Sequence, residues 1–287
     1  MSRPPAGVDT GDRTPTCDGE RGPVSQSTPG RTPLQRVAVL IPTYNEAENL
    51  EWIVGRVRAA TPQVDVVVLD DNSPDGTGEI ADRLAAADPQ VHVLHRKGKE
   101  GLGRAYLAGF EWALAQGYDA AVEMDADGSH QPEQLHLLLE AADAGADVVL
   151  GSRWIPGGSV VNWPLDRKLI SQAGNLYIKI ALGMPLNDAT GGYRVYRASA
   201  LRALDLSTVD SVGYCFQVDM AWRAVRGGLR VIEVPIEFVE RERGNSKMDS
   251  SIVKESLVRV TRWALEHRFG QVQRALGRGP GQDVTSR

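Results

Sequence analysis

An α/β fold is expected, with a mostly parallel central sheet, helices on both faces and a C-terminal amphipathic helix. Three observations carry that expectation. Short apolar runs alternate with helix-spaced segments from Arg36 to Leu150. The runs are apolar throughout instead of alternating in polarity, as strands covered on both faces are. Polar clusters follow where those runs end, and open parallel sheets gather ligands beyond the carboxyl ends of their strands.

Taken in order, Val37 to Ile41 reads as the first strand, stopped by Pro42, and Glu46 to Ala60 as a helix with Leu50, Ile53, Val54 and Val57 on one face. Val64 to Leu69 is the second strand, and Ile80, Leu84 and Ala85 mark the next helix. Val91 to Leu94, Ala120 to Met124 and Asp147 to Leu150 are further strands, separated by helices over Gly103 to Gln116 and Gln134 to Ala142. The second half is less regular. Leu165 to Leu182 and Phe216 to Val225 have helical spacing, Tyr193 to Tyr196 is a short strand, and Arg230 to Val239 is a strand pair hinged at Pro235. Residues 241–249 form a mobile polar loop, and 250–276 a long helix with Val253, Leu257, Val260, Ala264 and Leu265 at apolar positions. Residues 1–34 hold six of the sixteen prolines and no apolar period. They cannot bury enough surface to offset ordering entropy, so a disordered tail is expected there. A second tail is expected over 277–287, leaving 35–240 as the main domain.

The chain has 287 residues, 42% hydrophobic and 24% charged, which is ordinary globular composition. Its net charge of −5 argues against nucleic acid as a partner. Residues 1–35 are neutral, 241–287 carry +5 and the intervening body therefore −10. An acidic body with a basic end suits a metal centre and an anionic partner, or simply a solvated surface with a basic helix. No aliphatic run approaches the ~20 residues that span a bilayer. No apolar stretch follows the start, and Cys17 and Cys215 lie too far apart to suggest a metal site or disulfide framework. A soluble or peripheral intracellular protein is expected.

The polar clusters carry the chemistry. Asp125-Ala126-Asp127 follows a strand and offers two carboxylates to a hard divalent cation. Such an ion neutralises the charge of a departing diphosphate. Asp70-Asp71-Asn72-Ser73-Pro74-Asp75-Gly76-Thr77 makes a turn, with Thr77 expected to cap the next helix and one of the paired acids left to bind base, ribose or metal. Tyr44 and Glu46 stand where a nucleoside could pack and hydrogen-bond. The glycines of Gly98-Lys99-Glu100-Gly101-Leu102-Gly103 lack phosphate-loop spacing and read as a loop before a helix.

Pro42-Thr43-Tyr44-Asn45-Glu46, the Asp70 to Thr77 turn, Gly101-Leu102-Gly103, Asp125-Ala126-Asp127, Gly151-Ser152-Arg153, Thr190-Gly191-Gly192-Tyr193-Arg194 and Gly213-Tyr214-Cys215-Phe216-Gln217 occur in this order. Over residues 36–250 the set resembles the dolichyl-phosphate (polyprenol-phosphate) mannose synthases, inverting glycosyltransferases of GT-A type with a Rossmann-like sheet. The resemblance implies transfer of mannose from GDP-mannose to a polyprenyl phosphate at the cytosolic membrane face, with Mg²⁺ or Mn²⁺. It implies that Pro42, Tyr44, Glu46, Leu69 and Asp71 line the guanosine pocket. Asp125 and Asp127 would engage metal and diphosphate, with Ala126 alongside, and Arg153 would face the phosphates. Arg241 and Lys247 would reach the nucleotide, while Arg167 and Ser171 match acceptor-phosphate positions. Ser129 stands where some members carry glutamine as an extra metal ligand, so a water or donor oxygen would complete the shell.

A phosphate monoester is mostly dianionic at neutral pH, so this nucleophile needs no general base. One in-line displacement at the anomeric carbon follows, with Asp127, Arg153, Arg167 and Ser171 at its centre and His130 bracing the aspartate loop. The C-terminal helix, with Trp263 and Phe269 as aromatics and five basic residues around it, would lie on the membrane, on the domain, or against a membrane-protein partner. The alternatives are a transferase using UDP-glucose or another UDP-sugar, and a non-catalytic nucleotide-sugar-binding module. A Rossmann oxidoreductase would need Gly-x-Gly-x-x-Gly after the first strand, and the chain lacks it.

Overall fold

A computed structural model of the chain describes residues 32–209, 214–241, 257–266 and 268–269. Seven strands form one sheet. In chain order these are β1 (Val37–Thr43), β2 (Asp65–Asp70), β3 (Val91–His95), β4 (Ala120–Glu123), β5 (Val148–Ser152), β7 (Arg194–Arg197) and β8 (Val231–Pro235). Their spatial order is β3-β2-β1-β4-β7-β5-β8. All pairings are parallel except those of β7, which runs antiparallel between β4 and β5. The expectation of a mostly parallel sheet therefore holds, with one reversal that the strand pattern did not signal. A second, two-stranded parallel sheet joins β6 (Ser159–Val161) to β9 (Glu237–Val239). The strand pair expected over 230–239 thus splits at Pro235 and Ile236, and its halves serve different sheets.

Because side chains alternate across a strand, successive residues enter two separate cores. Leu40, Val67 and Leu69 pack on one face beneath α3 (Leu102–Ala115) and α7 (Tyr214–Arg226). Val39, Ile41, Val66 and Val68 pack on the other beneath α1 (Leu50–Ala60), α2 (Thr77–Ala87) and α4 (Leu135–Asp143). Gly109 lets α3 lie close to the sheet, since a Cβ there would come within 2.8 Å of Leu69 Cδ1 and 2.9 Å of Leu40 Cδ1. Aromatic stacking of Tyr106 on Phe216, at 6.2 Å and 10°, ties α3 to α7.

Several boundaries move. β1 runs through Pro42 to Thr43, and α1 begins at Leu50 instead of Glu46, because Asn45 adopts a left-handed φ of 59°. Thr77 is the first residue of α2 and not its cap; Gly76 occupies the cap position, and Asp75 Oδ1 accepts from both Thr77 N and Thr77 Oγ1. Of the tail expected over 1–34, residues 32–34 are tied to the domain. Arg197 donates to Thr32 O at 3.2 Å and Leu34 N donates to Asp143 Oδ1 at 2.8 Å. β6 and α6 (Ala198–Ala203) were not expected.

The helix α5 (Leu165–Leu182) has two unlike faces. Asn175, Ile178 and Leu182 are buried on the side that also holds Arg167 and Ser171. On the opposite side Leu165, Leu169, Leu176 and Ile180 are exposed by 57% or more. Residues 257–266 are helical and lie against α5, with Tyr177 Oη and Thr261 Oγ1 2.6 Å apart. Val260 and Ala264 are buried in the core and Trp263 stacks on Trp222, at 5.7 Å and 22°. Of the three placements open to this stripe, packing on the domain holds for Val260 and Ala264, and Trp263 is not an outward aromatic. Val258, Leu265 and Phe269 remain exposed. No helix among the described residues is long and apolar enough to cross a membrane.

Candidate active site

The carboxyl ends of β1, β2, β4 and β5 lie along one edge, and the loops after them bring the expected residues together. After β2 the two acids separate. Asp70 is buried and accepts from Thr43 Oγ1 at 3.2 Å and from Ser73 Oγ at 2.6 Å, so it holds the turn. Asp71 pairs with Arg96, a partner not singled out in the sequence. Burial pushes the Asp71 carboxyl up and the Arg96 charge opposes it. Tyr44 lies under the ammonium of Lys99, 4.3 Å from its ring centroid, and Glu46 Oε2 accepts from Asn49 Nδ2 at 2.8 Å. Leu69 differs from the other pocket candidates: its side chain is fully buried in the core, so only its main chain reaches this edge. Pro42 is half-buried beside it, in register with Leu69 across the β1–β2 pair.

The loop after β4 is braced on several sides. Asp127 Oδ1 accepts from Ser129 N at 3.0 Å, and Asp127 Oδ2 pairs with Arg241 at 3.2 Å. Gly128 has φ +74°, and a Cβ there would fall 2.4 Å from the Trp52 ring, so α1 packs directly on the turn. Arg56, on the same helix, lies over Trp52 and bonds Gln131 and Glu133. His130 Nδ1 accepts from Asp125 N at 3.1 Å while its ring stacks on Tyr193 at 5.1 Å. Burial pushes the His130 imidazole down, which suits a neutral ring accepting at Nδ1. The expected bracing role is therefore visible. Ala126 is a core residue that points away between the two acids.

The loop offers oxygen donors only: the carboxylates of Asp125 and Asp127, and the buried hydroxyl of Ser129, whose Oγ has no hydrogen-bond partner. That set fits Mg²⁺ or Mn²⁺, which commonly takes one or two carboxylates and completes its shell with phosphates and water. Among the described residues no group of three or more His, Cys, Asp and Glu side chains is placed to hold a metal by itself.

Arg153, just past β5, is fixed by a fully buried acid. Its backbone N, Nε and Nη2 all donate to Asp188, at 3.0, 2.7 and 2.7 Å, and Nη2 also reaches Thr190 Oγ1 at 2.9 Å. Burial alone would raise the Asp188 carboxyl, but the Arg153 charge holds it below its ordinary range. Trp154, Trp163 and Phe238 surround the guanidinium with ring centroids 5.4–5.7 Å from Cζ. Arg167 stacks on Trp163 at 4.0 Å and pairs with Glu240. Residues 167, 171 and 175 recur every fourth position on α5 and so share a face. Asn175 Nδ2 bonds Ser171 O at 3.1 Å and Thr190 Oγ1 at 3.1 Å, which connects that face to Arg153. Lys247 lies outside the described residues.

Beneath the aspartate loop is a group that sequence reading missed. Glu123, the last residue of β4, is fully buried opposite Arg194 on β7, and neither carboxyl oxygen has a hydrogen-bond partner. Burial pushes its pKa up to about 8 against the pull of the Arg194 charge. An acid inside an otherwise apolar strand was the available signal.

Residues 38–205 match the model of glycosyl transferase family 2. The chain belongs to that family. This family 2 transferase is 60% identical over 242 residues to the undecaprenyl-phosphate mannosyltransferase of Micrococcus luteus, covering 84% of this chain and 99% of the relative. It is 56% identical over 246 residues to the polyprenol monophosphomannose synthase of Mycolicibacterium smegmatis, covering 85% and 92%. Both likenesses group the transferase with the polyprenyl-phosphate mannosyltransferases. Glucosyl-3-phosphoglycerate synthase from Mycobacterium tuberculosis, solved with Mn²⁺, UDP and phosphoglyceric acid, superposes with a TM-score of 0.58 at 19% identity, covering 82% of this chain and 79% of that one. The family 2 transferase thus has a GT-A-like fold.

Proposed function

We propose that this transferase moves mannose from GDP-mannose to a polyprenyl phosphate, with inversion at the anomeric carbon, at the cytosolic face of a membrane. The two mannosyltransferase relatives support the reaction class. One observation carries the choice of a lipid phosphate: α5 holds Arg167 and Ser171 on the face joined to Arg153, and exposed leucines and isoleucine on the opposite face. A single helix can thus meet an anionic headgroup and an apolar chain at once. The exposed Val258, Leu265 and Phe269 of the neighbouring helix extend the apolar surface, which suits peripheral attachment.

Asp71, Tyr44 and Glu46 bind the nucleoside end of the donor. Asp125 and Asp127 would hold Mg²⁺ or Mn²⁺, which when bound neutralises charge on the leaving diphosphate. Arg241, already in contact with Asp127, adds positive charge there, and Lys247 is the second cation this reading assigns to the nucleotide. Arg153 and Arg167 aim the acceptor oxygen, and a dianionic phosphate attacks without surrendering a proton. His130 is no general base here, since its Nδ1 is engaged by Asp125 N–H. Positioning and fixed charge supply the rate.

The test is transfer of radiolabel from GDP-[¹⁴C]mannose into butanol-extractable lipid with added polyprenyl phosphate and Mn²⁺, run beside UDP-[¹⁴C]glucose. Label from GDP-mannose alone is expected. Label only from the UDP-sugar would move the donor assignment, and no label from either would leave a binding module.

A further inference from the structure

The two arginines assigned to the acceptor phosphate carry carboxylate partners of very different kinds. Arg153 is held by Asp188, which is 0% exposed, by two guanidinium bonds and one from its main chain. Asp188 is itself anchored, because Glu233 accepts from the backbone N of both Asn187 and Asp188, at 2.9 and 2.8 Å. That pair is closed off from water. Arg167 is instead held by Glu240, and both side chains are 24% exposed. Glu240 follows β9, a three-residue strand that pairs with β6 and bridges to the aspartate loop at His130, and its side chain reaches Arg167 across a water-accessible edge. That pair can exchange.

We propose that Glu240 is a positioning residue that competes with the lipid phosphate for the guanidinium of Arg167 and thereby promotes release of the product. The inference rests on the acceptor reading above. In the transfer, an acceptor phosphate oxygen forms a bond to the anomeric carbon while the bond from that carbon to the donor's diphosphate oxygen breaks. The bonding pair leaves with the nucleoside diphosphate and no proton moves. The lipid phosphate therefore goes from a monoester of charge about −2 to a diester of charge about −1. Arg167 loses half of the charge that held it on the ligand, and the carboxylate of Glu240 waits beside it. A carboxylate that costs the dianion some affinity is tolerable because Arg153 still binds it. The same cost tips the weaker monoanion out. Trp163, stacked on Arg167, keeps the guanidinium plane in place during the exchange.

Equilibrium binding of polyprenyl phosphate and of polyprenyl phosphate mannose to the full chain in detergent micelles tests this without turnover. Glu240→Gln keeps the shape and removes the charge. It is expected to tighten both ligands about fivefold, the scale of a partly exposed ion pair. The same change in an Arg167→Gln background is expected to have no effect. Unchanged or weakened binding in Glu240→Gln overturns the proposal, as does equal tightening without Arg167. A chain that binds both lipids but transfers no mannose sinks the proposed reaction while the Glu240 result still stands or falls by itself. A wild-type chain that binds neither lipid sinks both.

Discussion

Asp127 shows how firmly a candidate site residue can be placed. One oxygen takes the Ser129 N–H, the other takes Arg241, and the turn between them is fixed by Gly128. Asp127→Asn keeps the size and removes the charge, so a loss of about 10²- to 10³-fold in kcat is expected with an unchanged melting temperature. Steady-state transfer assays beside thermal melts check both halves. Glu123 makes a second, opposite point. Its pKa is raised from 4.5 to about 8, so between those values the folded chain holds a proton that the unfolded chain has lost. Stability contributed by this group is present below pH 4.5 and declines as pH rises toward 8. Comparing melting temperatures at pH 5 and pH 8, Glu123→Gln is expected to flatten that decline relative to wild type. Arg153→Met strands the buried charge of Asp188 and should cost about 3–5 kcal/mol in denaturant titration. Sequence made Asp125, Asp127 and Arg153 legible because polar residues after an apolar strand have few other reasons to be there. Asp188, Arg96 and Glu240 were not legible, since each matters only through a partner 25 to 73 residues away.

At the level of elements, strand and helix periods gave most of the sheet, because a strand buried on both faces is written in consecutive apolar residues. β7 escaped as an antiparallel strand for a physical reason: its direction is decided by which neighbours it fills between, and Val195 and Tyr196 look the same either way. β6 is three half-buried residues and has no period to read. The end of α5 nearest the site was found, but its two faces became meaningful only once the packed side was known. The turn on which the aspartates ride depends on α1 as much as on β4. Gly128→Ala would place a Cβ at a left-handed φ of +74° against Trp52. It is expected to destabilise by about 1–2 kcal/mol, within the range for strained backbone positions, and to lower transfer at the same time. A melt and an assay on the same preparation would show the two losses together.

For the molecule as a whole, α5 and the neighbouring helix carry an exposed apolar surface, which on α5 is the face turned away from Arg167. A double change, Leu169→Glu with Ile180→Glu, puts charge on positions 65% and 63% exposed, where folding should not suffer. Flotation with anionic liposomes is expected to fall several-fold, while turnover of a short-chain, detergent-dispersed acceptor stays near wild type; unaltered flotation would assign attachment elsewhere. The antiparallel strand β7 has a consequence for size. By separating β4 from β5 it holds the aspartates and Arg153 two strand spacings apart, about 10 Å. In the in-line displacement proposed above, the attacking and departing oxygens stand on opposite sides of one anomeric carbon, so that width would have to hold two phosphate groups with a single carbon between them. The presence of β7, whichever way it runs, thus sets the width of the opening across which the aspartate loop and Arg153 face each other.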